Sequence, residues 1–310
     1  MQRSSLTYPV EIVSGLFGES DALARAAGAS RLLIVADANF VHRNEGIGLK
    51  IGRYVKEKGL ALASAPVVFG GGEKVKLDNF ASANRVICAA IDAEIGPDDA
   101  ILAIGGGSML DVAGYAAAQV GGGTGIIRVP TTPAAMLCAA FATTAALDAH
   151  GVKDSVSLPS VPRAVLIDTS FANTVLDGVW SAGIAEAVRL GLAKEPALLK
   201  LAVDLAGQFA SRDGSALKAL VEATLDVRRS KGGTDLGLAT AFELEPKSGW
   251  KLPHGYAVAI GIVADLVSAI KSGEPREEDL ETCRDVLGRC GALDGFYHSK
   301  HILPPELENF

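Results

Sequence analysis

Cysteine is scarce in this chain and carries no pairing pattern. The 310 residues hold four, Cys88, Cys138, Cys283 and Cys290, and no CxxC. That spacing excludes a disulfide framework or a cysteine zinc cluster and fits thiols kept reduced in the cytosol. Basic runs are missing as well. With a net charge of −7 and no Lys/Arg tract, nothing in the chain would follow a nucleic-acid backbone. The N-terminus, MQRSSLTYPVEIV, has no apolar stretch of the kind a secretory signal needs. The most apolar segment, ILAIGGGSMLDVAGYAAA, is broken by three glycines and Asp111, so no membrane span is expected. There is no internal repeat and no low-complexity tract. These absences point to a cytoplasmic protein whose partners are neither nucleic acid nor membrane.

What is present is a globular composition, 49% hydrophobic against 21% charged, in a chain long enough for one large or two moderate domains. In the first half, short β-rich runs alternate with helical ones. RLLIVAD (31–37), APVVFG (65–70), DAILAIGGG (99–107), GIIRVPTT (125–132) and RAVLID (163–168) read as strands. Segments 46–60, 77–94 and the run SMLDVAGYAAAQ have helical spacing. Continuous apolar strands separated by helices predict a doubly wound, Rossmann-like parallel sheet. Its ligands would sit at the carboxyl ends of the strands, where Asp37, Gly105 to Gly107, Thr131 and Thr132 fall. Beyond about residue 174 the strand pattern stops and every apolar run has helical spacing. We therefore expect an α/β domain over 1–174 and an all-helical domain over 175–310.

Three stretches carry candidate chemistry. GGGS after an apolar strand opens a small-residue helix, an arrangement in which backbone N–H groups and the helix dipole can meet a pyrophosphate. It lacks the GxGxxG spacing, and a tight strand–helix turn with no ligand is the alternative reading. FGGGEKVK (69–76) is a second glycine turn, bearing Glu73, Lys74 and Lys76. In WKLPHGYAVAIG, His254 stands at the mouth of an apolar helix. It could be a metal ligand, a phosphate contact or an ordinary residue of a helix start. Glu186, in the apolar run AGIAEAVRLGLA, could be a ligand or the partner of Arg189 or Arg163.

In order along the chain, YPVEIVSGLF, LLIVADANF, FGGGEKVK, DDAILAIGGGSMLDVAGYAAA, IIRVPTTPAA, RAVLIDTSF, AGIAEAVRLGLA and LPHGYAVAIG resemble the 3-dehydroquinate synthase family of NAD-dependent sugar-phosphate cyclases. The related polyol and glycerol-phosphate dehydrogenases share some of these blocks, but GGEK and DVAGYAAA lean toward the cyclases. The resemblance implies a homodimer with an active site between an NAD-binding α/β domain and a helical domain. It implies NAD held by Asp37, Asn39, Glu73, Lys76, Gly105, Gly106, Gly107, Asp111, Thr131, Thr132 and Thr174. It further implies a phosphorylated sugar or polyol as substrate, catalysis by Lys153, His254 and Glu186, and a zinc ion held by one Glu and two His.

The departures from the family pattern are as informative. Glu186 and His254 keep two metal-ligand positions, but GLATAFELE (237–245) puts Leu238 where the third ligand belongs and Phe242 where a further histidine belongs. Neither side chain can bind zinc. Cys138 replaces an aspartate and Thr144 a lysine. The GKN-like element stands as Val152, Lys153 and Asp154, and Tyr256 replaces the Glu of HGE. Asp235 and Glu243 are the nearest acidic groups in sequence that could complete the pair Glu186 and His254. His150 could reach the active site from beside Lys153, whereas His298 and His301 read as a solvated tail, and His42 is a further histidine. Three functions follow: a cyclase-like enzyme with altered metal use, a non-catalytic homologue, or a metal-independent polyol dehydrogenase-like oxidoreductase moving protons through Tyr256, His254 or Lys153.

Overall fold

A computed structural model describes residues 6–304 and 307. Nine strands are present among them: β1 (Val10–Ile12), β2 (Arg31–Asp37), β3 (Ala61–Leu62), β4 (Val67–Phe69), β5 (Ala100–Gly105), β6 (Gly125–Pro130), β7 (Thr144–Ala149), β8 (Val152–Pro159) and β9 (Ala164–Ile167). The helices between them are α1 (Ala22–Ala27), α2 (Ala38–Arg43), α3 (Ile47–Glu57), α4 (Ala81–Asp92), α5 (Gly107–Gln119) and α6 (Pro133–Leu137). After them come α7 (Asp177–Ala182), α8 (Ile184–Lys194), α9 (Pro196–Ala210), α10 (Gly214–Lys231), α11 (Leu238–Lys247), α12 (His254–Lys271), α13 (Glu277–Arg289) and α14 (Asp294–Ser299). The contacts divide the chain into two compact units, one spanning Thr7–Val175 and one running on from Leu176.

The first unit is built on a parallel sheet of order β1-β9-β6-β5-β2-β3, with β4 also paired to β2. Its central strands are buried on both faces, which explains why they read as unbroken apolar runs rather than alternating ones. From β2 the chain first builds outward to β3 and β4. It then returns to the other side of β2 for β5, β6 and β9. The strand order therefore reverses between β2 and β5, and the carboxyl ends flanking that reversal are Asp37 and Gly105. Open sheets of this type form their ligand crevice at such a point.

The strand pattern misses the short β1 and β3 and the pair β7 and β8. Residues 144–159, where no strand was expected, form an antiparallel hairpin, β7 paired to β8. Its turn is the two-residue pair His150 and Gly151, both with positive φ (52° and 75°), as a primed hairpin turn requires. The hairpin lies on α5, whose small residues let it approach. A Cβ at Gly114 would stand 2.8 Å from Ser160 Oγ and 2.9 Å from Ala145 Cβ. Arg128 of β6 anchors the neck of the hairpin by donating to the carbonyls of Ala140, Ala142 and Ser160. This packing brings Asp148, Lys153 and Asp154 over the first turns of α5.

The second unit is wholly helical in its described residues. Helix α12 is its centre, apolar on nearly every face, and packs on α8, α11 and α13. By length and composition alone it could cross a membrane, yet much of it is buried inside the unit. An all-round apolar helix of this kind is expected at the core of a helical bundle. Glycines make the closest approach possible. A Cβ on Gly261 of α12 would fall 2.0 Å from the carbonyl oxygen of Gly237, just ahead of α11.

Candidate active site

In the first unit the structure gathers most of the expected cofactor residues at the β2/β5 reversal. Asp37 ends β2 and caps α2, accepting from the Asn39 amide at 2.7 Å. Burial pushes its carboxyl up, against the pull of the Asn39 and Phe40 amides. Gly71 lies directly on this pair, since a Cβ there would be 2.3 Å from Asp37 Oδ2 and 2.6 Å from Asn39 Nδ2. Gly105 also touches Asp37, its missing Cβ falling 3.2 Å from the Asp37 Cβ. The Thr131 amide donates to Gly105 O, and Thr132 stands against Gly106. Helix α5 starts at Gly107, and its N-cap, Gly106, has no side chain with which to cap the first-turn amides. Thr174 is placed elsewhere, accepting from the Asn44 side chain beyond the end of α2.

Beside the glycines, the remaining candidates form an ionic cluster. Lys76 Nζ lies 2.6 Å from Asp154 Oδ1, 3.0 Å from Asp111 Oδ2 and 3.6 Å from Asp148 Oδ1. Lys153 Nζ lies 2.6 Å from Glu73 Oε1 and 3.7 Å from Asp148 Oδ2. Ser108 of α5 donates to the other oxygen of Glu73. Desolvation works against the Lys76 ammonium, but the carboxylates of Asp111, Glu73, Asp154 and Asp148 outweigh it and hold the group well above the usual lysine range. Burial pushes both Asp111 and Asp148 up, opposed chiefly by Lys76. Asp148 was not singled out in the sequence, and only the hairpin register places it between the two lysines. The other departures nearby are peripheral: Cys138 ends α6, Thr144 is exposed at the start of β7, and His150 is exposed in the hairpin turn.

The second unit holds Glu186 and His254. Glu186 of α8 is 1% exposed and its Oε2 is 2.5 Å from Nε of Arg189, itself 3% exposed. Of the two arginine partners considered, Arg189 is the one that meets it. Arg163 belongs to the first unit, where it donates to Ser30 and the Asp99 carbonyl. Burial is the largest influence on the Glu186 carboxyl and pushes it up. The charges of Arg189 and His254 and the Arg189 hydrogen bond outweigh it, so the carboxyl is held below the usual range. His254, the first residue of α12, places Nε2 3.8 Å from Glu186 Oε1 and Nδ1 2.7 Å from Glu245 Oε1.

The acidic neighbours expected for this pair need correcting. Asp235 is exposed, and Glu243 points outward to Lys247 at 2.9 Å. The carboxylate that reaches His254 is Glu245, in the last turn of α11 and fully buried. Position i+2 on a helix turns the side chain through most of a half-circle, which separates Glu245 from Glu243. Glu245 thus holds the Nδ1 side of the imidazole and turns its Nε2 side toward Glu186. His42 and His301 are exposed, and the side chain of His298 lies outside the described residues.

A three-ligand metal centre does not fit these residues. Glu186 Oε1 and His254 Nε2 are close enough to share one ion, but Arg189 already neutralises the carboxylate, and Leu238 and Phe242 offer no donor. Phe242 instead sets its ring 6.4 Å from the imidazole. Among the described residues, no group of three or more His, Cys, Asp or Glu could hold a metal ion.

Fold and site together define a doubly wound α/β unit with a glycine-lined switch point, joined in sequence to an all-helical unit with a buried Glu–Arg pair beside a partly exposed His. The 3-dehydroquinate synthase N-terminal family profile matches residues 66–181. A 3-dehydroquinate synthase of Pyrobaculum neutrophilum is 30% identical over 270 residues, 79% of this chain and 77% of its own. That of Symbiobacterium thermophilum is 26% identical over 91% of this chain and 80% of its own. The chain belongs to the 3-dehydroquinate synthase family. Among solved structures, the 2-epi-5-epi-valiolone synthase of Streptomyces hygroscopicus subsp. jinggangensis, described with NAD+ and Zn2+ bound, superposes with TM-score 0.78 at 22% identity, covering 96% of this chain and 88% of that one. An iron-containing alcohol dehydrogenase superposes at 0.68 with 14% identity, covering 96% and 86%. The expected fold, a Rossmann-like parallel sheet followed by helices, is the one observed.

Proposed function

We propose that the protein binds NAD at the β2/β5 switch point and uses it in cyclase-like or dehydrogenase-like chemistry on a polyol, without a three-ligand zinc centre. The observation that carries this reading is the convergence of Asp37, Gly71, Gly105 to Gly107, Thr131 and Thr132 around the open N-terminus of α5. A carboxylate at the end of β2 can accept from ribose hydroxyls, and the glycines leave room for a pyrophosphate at the helix start. The NAD+ described in the valiolone synthase structure supports it. When bound, the dinucleotide supplies a hydride acceptor. In the helical unit, the Glu245–His254 pair offers an oriented imidazole nitrogen for proton transfer.

Two measurements test this. Calorimetry is expected to show saturable heat with NAD. Asp37→Ser, which keeps a helix-capping oxygen but loses the charge, should weaken binding by about 10- to 100-fold, the worth of one or two charge-assisted hydrogen bonds. No heat from the parent protein would end the reading. Second, purified protein should contain zinc far below one ion per chain, and chelation should leave both its melting temperature and its NAD affinity unchanged. A stoichiometric, chelator-resistant ion would refute the absence of a metal centre. The substitution of both Leu238 and Phe242 also favours a second reading, a non-catalytic homologue that keeps only dinucleotide binding. Polyol-dependent reduction of NAD would exclude it.

A further inference from the structure

We propose that the guanidinium of Arg189 is the resident cation of the helical unit's site, balancing Glu186 where a divalent ion would otherwise do so. The inference rests on the reading above that these residues do not form a three-ligand zinc centre, and it names what takes the ion's place. Leu238 and Phe242 explain why donors are too few. They do not explain how a carboxylate is kept there, enclosed to 1% exposure. An unpaired charge in that setting is strongly disfavoured, so a cation has to accompany it. Arg189 supplies one from the same helix, α8, three residues on.

The geometry makes guanidinium and metal alternatives. Glu186 Oε1 and His254 Nε2 lie 3.8 Å apart. Two donors of one tetrahedral zinc lie about 3.4 Å apart, so distance alone does not keep this pair from sharing an ion. Charge does. Nε of Arg189 is 2.5 Å from Oε2, the other oxygen of the same carboxylate. A dication on Oε1 would sit about one carboxylate's width from a positive group that is 3% exposed and so barely screened by water. Arg189 is also held from its far side, where Nη1 donates to the Thr234 carbonyl in the segment that leads into α11. Arg228 adds a weaker positive charge on Glu186. A guanidinium keeps its proton at every pH a folded protein meets, and unlike an ion it can be neither chelated nor exchanged. Two separable features thus exclude a metal: no donor at position 238, and a fixed charge at position 189.

The test uses zinc chloride as probe on the full chain, read by calorimetry, thermal shift and metal content after dialysis. Four proteins are compared: the parent, Leu238→His, Arg189→Gln and Leu238→His/Arg189→Gln. Glutamine keeps a donor for Glu186 and removes the charge. The parent and Leu238→His are expected to retain no zinc through dialysis. The double variant should retain close to one ion per chain and bind it at least about 100-fold more tightly than Leu238→His, the effect of removing one buried charge beside a dication. Adding His254→Ala should abolish that gain, which separates this pair from any surface site. The proposal is overturned if Leu238→His, with Arg189 in place, binds zinc as tightly as the double variant. It is equally overturned if the folded double variant binds no better than the parent. Should the Arg189→Gln proteins not fold, Leu238→His decides alone: an ion retained through dialysis refutes the role of the guanidinium, and none retained supports it. A stoichiometric ion in the parent would end the metal-free reading and this inference together, whereas failure of NAD to bind would end the proposed function alone.

Discussion

Arg189→Met should cost the protein about 3–5 kcal/mol, the usual penalty for leaving a buried carboxylate without its partner. Glu186 is 1% exposed, and Arg189 is the cation that holds it, also tied to the Thr234 carbonyl. Methionine matches the length of arginine without its charge or its donors. The loss should appear as a large fall in melting temperature near neutral pH. The double variant Glu186→Gln/Arg189→Met should recover most of it, because a buried pair removed whole is often nearly neutral. The pH dependence follows from the depressed Glu186 carboxyl. A group whose folded value lies below its unfolded one adds stability above the ordinary carboxylate range, and that stability is lost as pH falls through the depressed value. The parent protein should therefore lose this contribution progressively as pH falls below the ordinary carboxylate range. A single variant less than about 1 kcal/mol weaker than the parent would place the pair in the class of solvated surface bridges and sink the argument.

The second large effect is expected from Gly261→Ala. The added methyl would meet the Gly237 carbonyl oxygen at 2.0 Å and its carbon at 2.8 Å, both backbone atoms that no rotamer change can move. Gly237 cannot yield easily. Its φ is +77°, its own Cβ would strike the Ile262 amide nitrogen at 2.7 Å, and its N–H is held by Asp265 at 2.7 Å. Overpacking of this kind costs about 1–3 kcal/mol or more. Relief requires α11 to move off α12, and Glu245 would travel with α11 while His254 stays on α12. The variant should thus lose thermal stability and also shift the His254 imidazole resonances, as the 2.7 Å contact with Glu245 opens. Unchanged melting together with unchanged imidazole signals would show that the two helices do not meet as described.

The first of these predictions rests on an i, i+3 pair that the sequence already offered, the second on a backbone contact that local pattern does not reveal. Leu238 and Phe242 were visible as losses by position alone, because a resemblance can be laid along the chain residue by residue. The identity of the carboxylate beside His254 was not. Glu245 is the nearer to His254 in sequence by two residues, but only the rotation of α11 on α12 decides that it and not Glu243 meets the imidazole. The ionic cluster has the same character. Lys76 and Lys153 are separated by the whole of α4, β5, α5 and β6, and a hairpin that reads as loop sets Asp148 between them. A signal for that hairpin existed: TAALDA and VKDSVSLP flank a His–Gly pair, the kind of two-residue turn that favours positive φ.

What the sequence determined by itself was the sheet, the helical second half, the family and the glycine-lined strand ends. Each is written in short-range form, as apolar runs, as 3.6-residue spacing or as motifs in order, because side-chain periodicity follows directly from strand and helix geometry. Only the tertiary structure decided how the charges are partnered. Glu186 meets Arg189, Glu245 meets His254, and Lys76 and Lys153 share Asp148. Coulomb and hydrogen-bond energies depend on distances of a few ångströms in a desolvated interior. Those distances are fixed by packing between residues far apart in the chain, such as a glycine that lets a hairpin settle on α5 or two backbones that touch at Gly237 and Gly261.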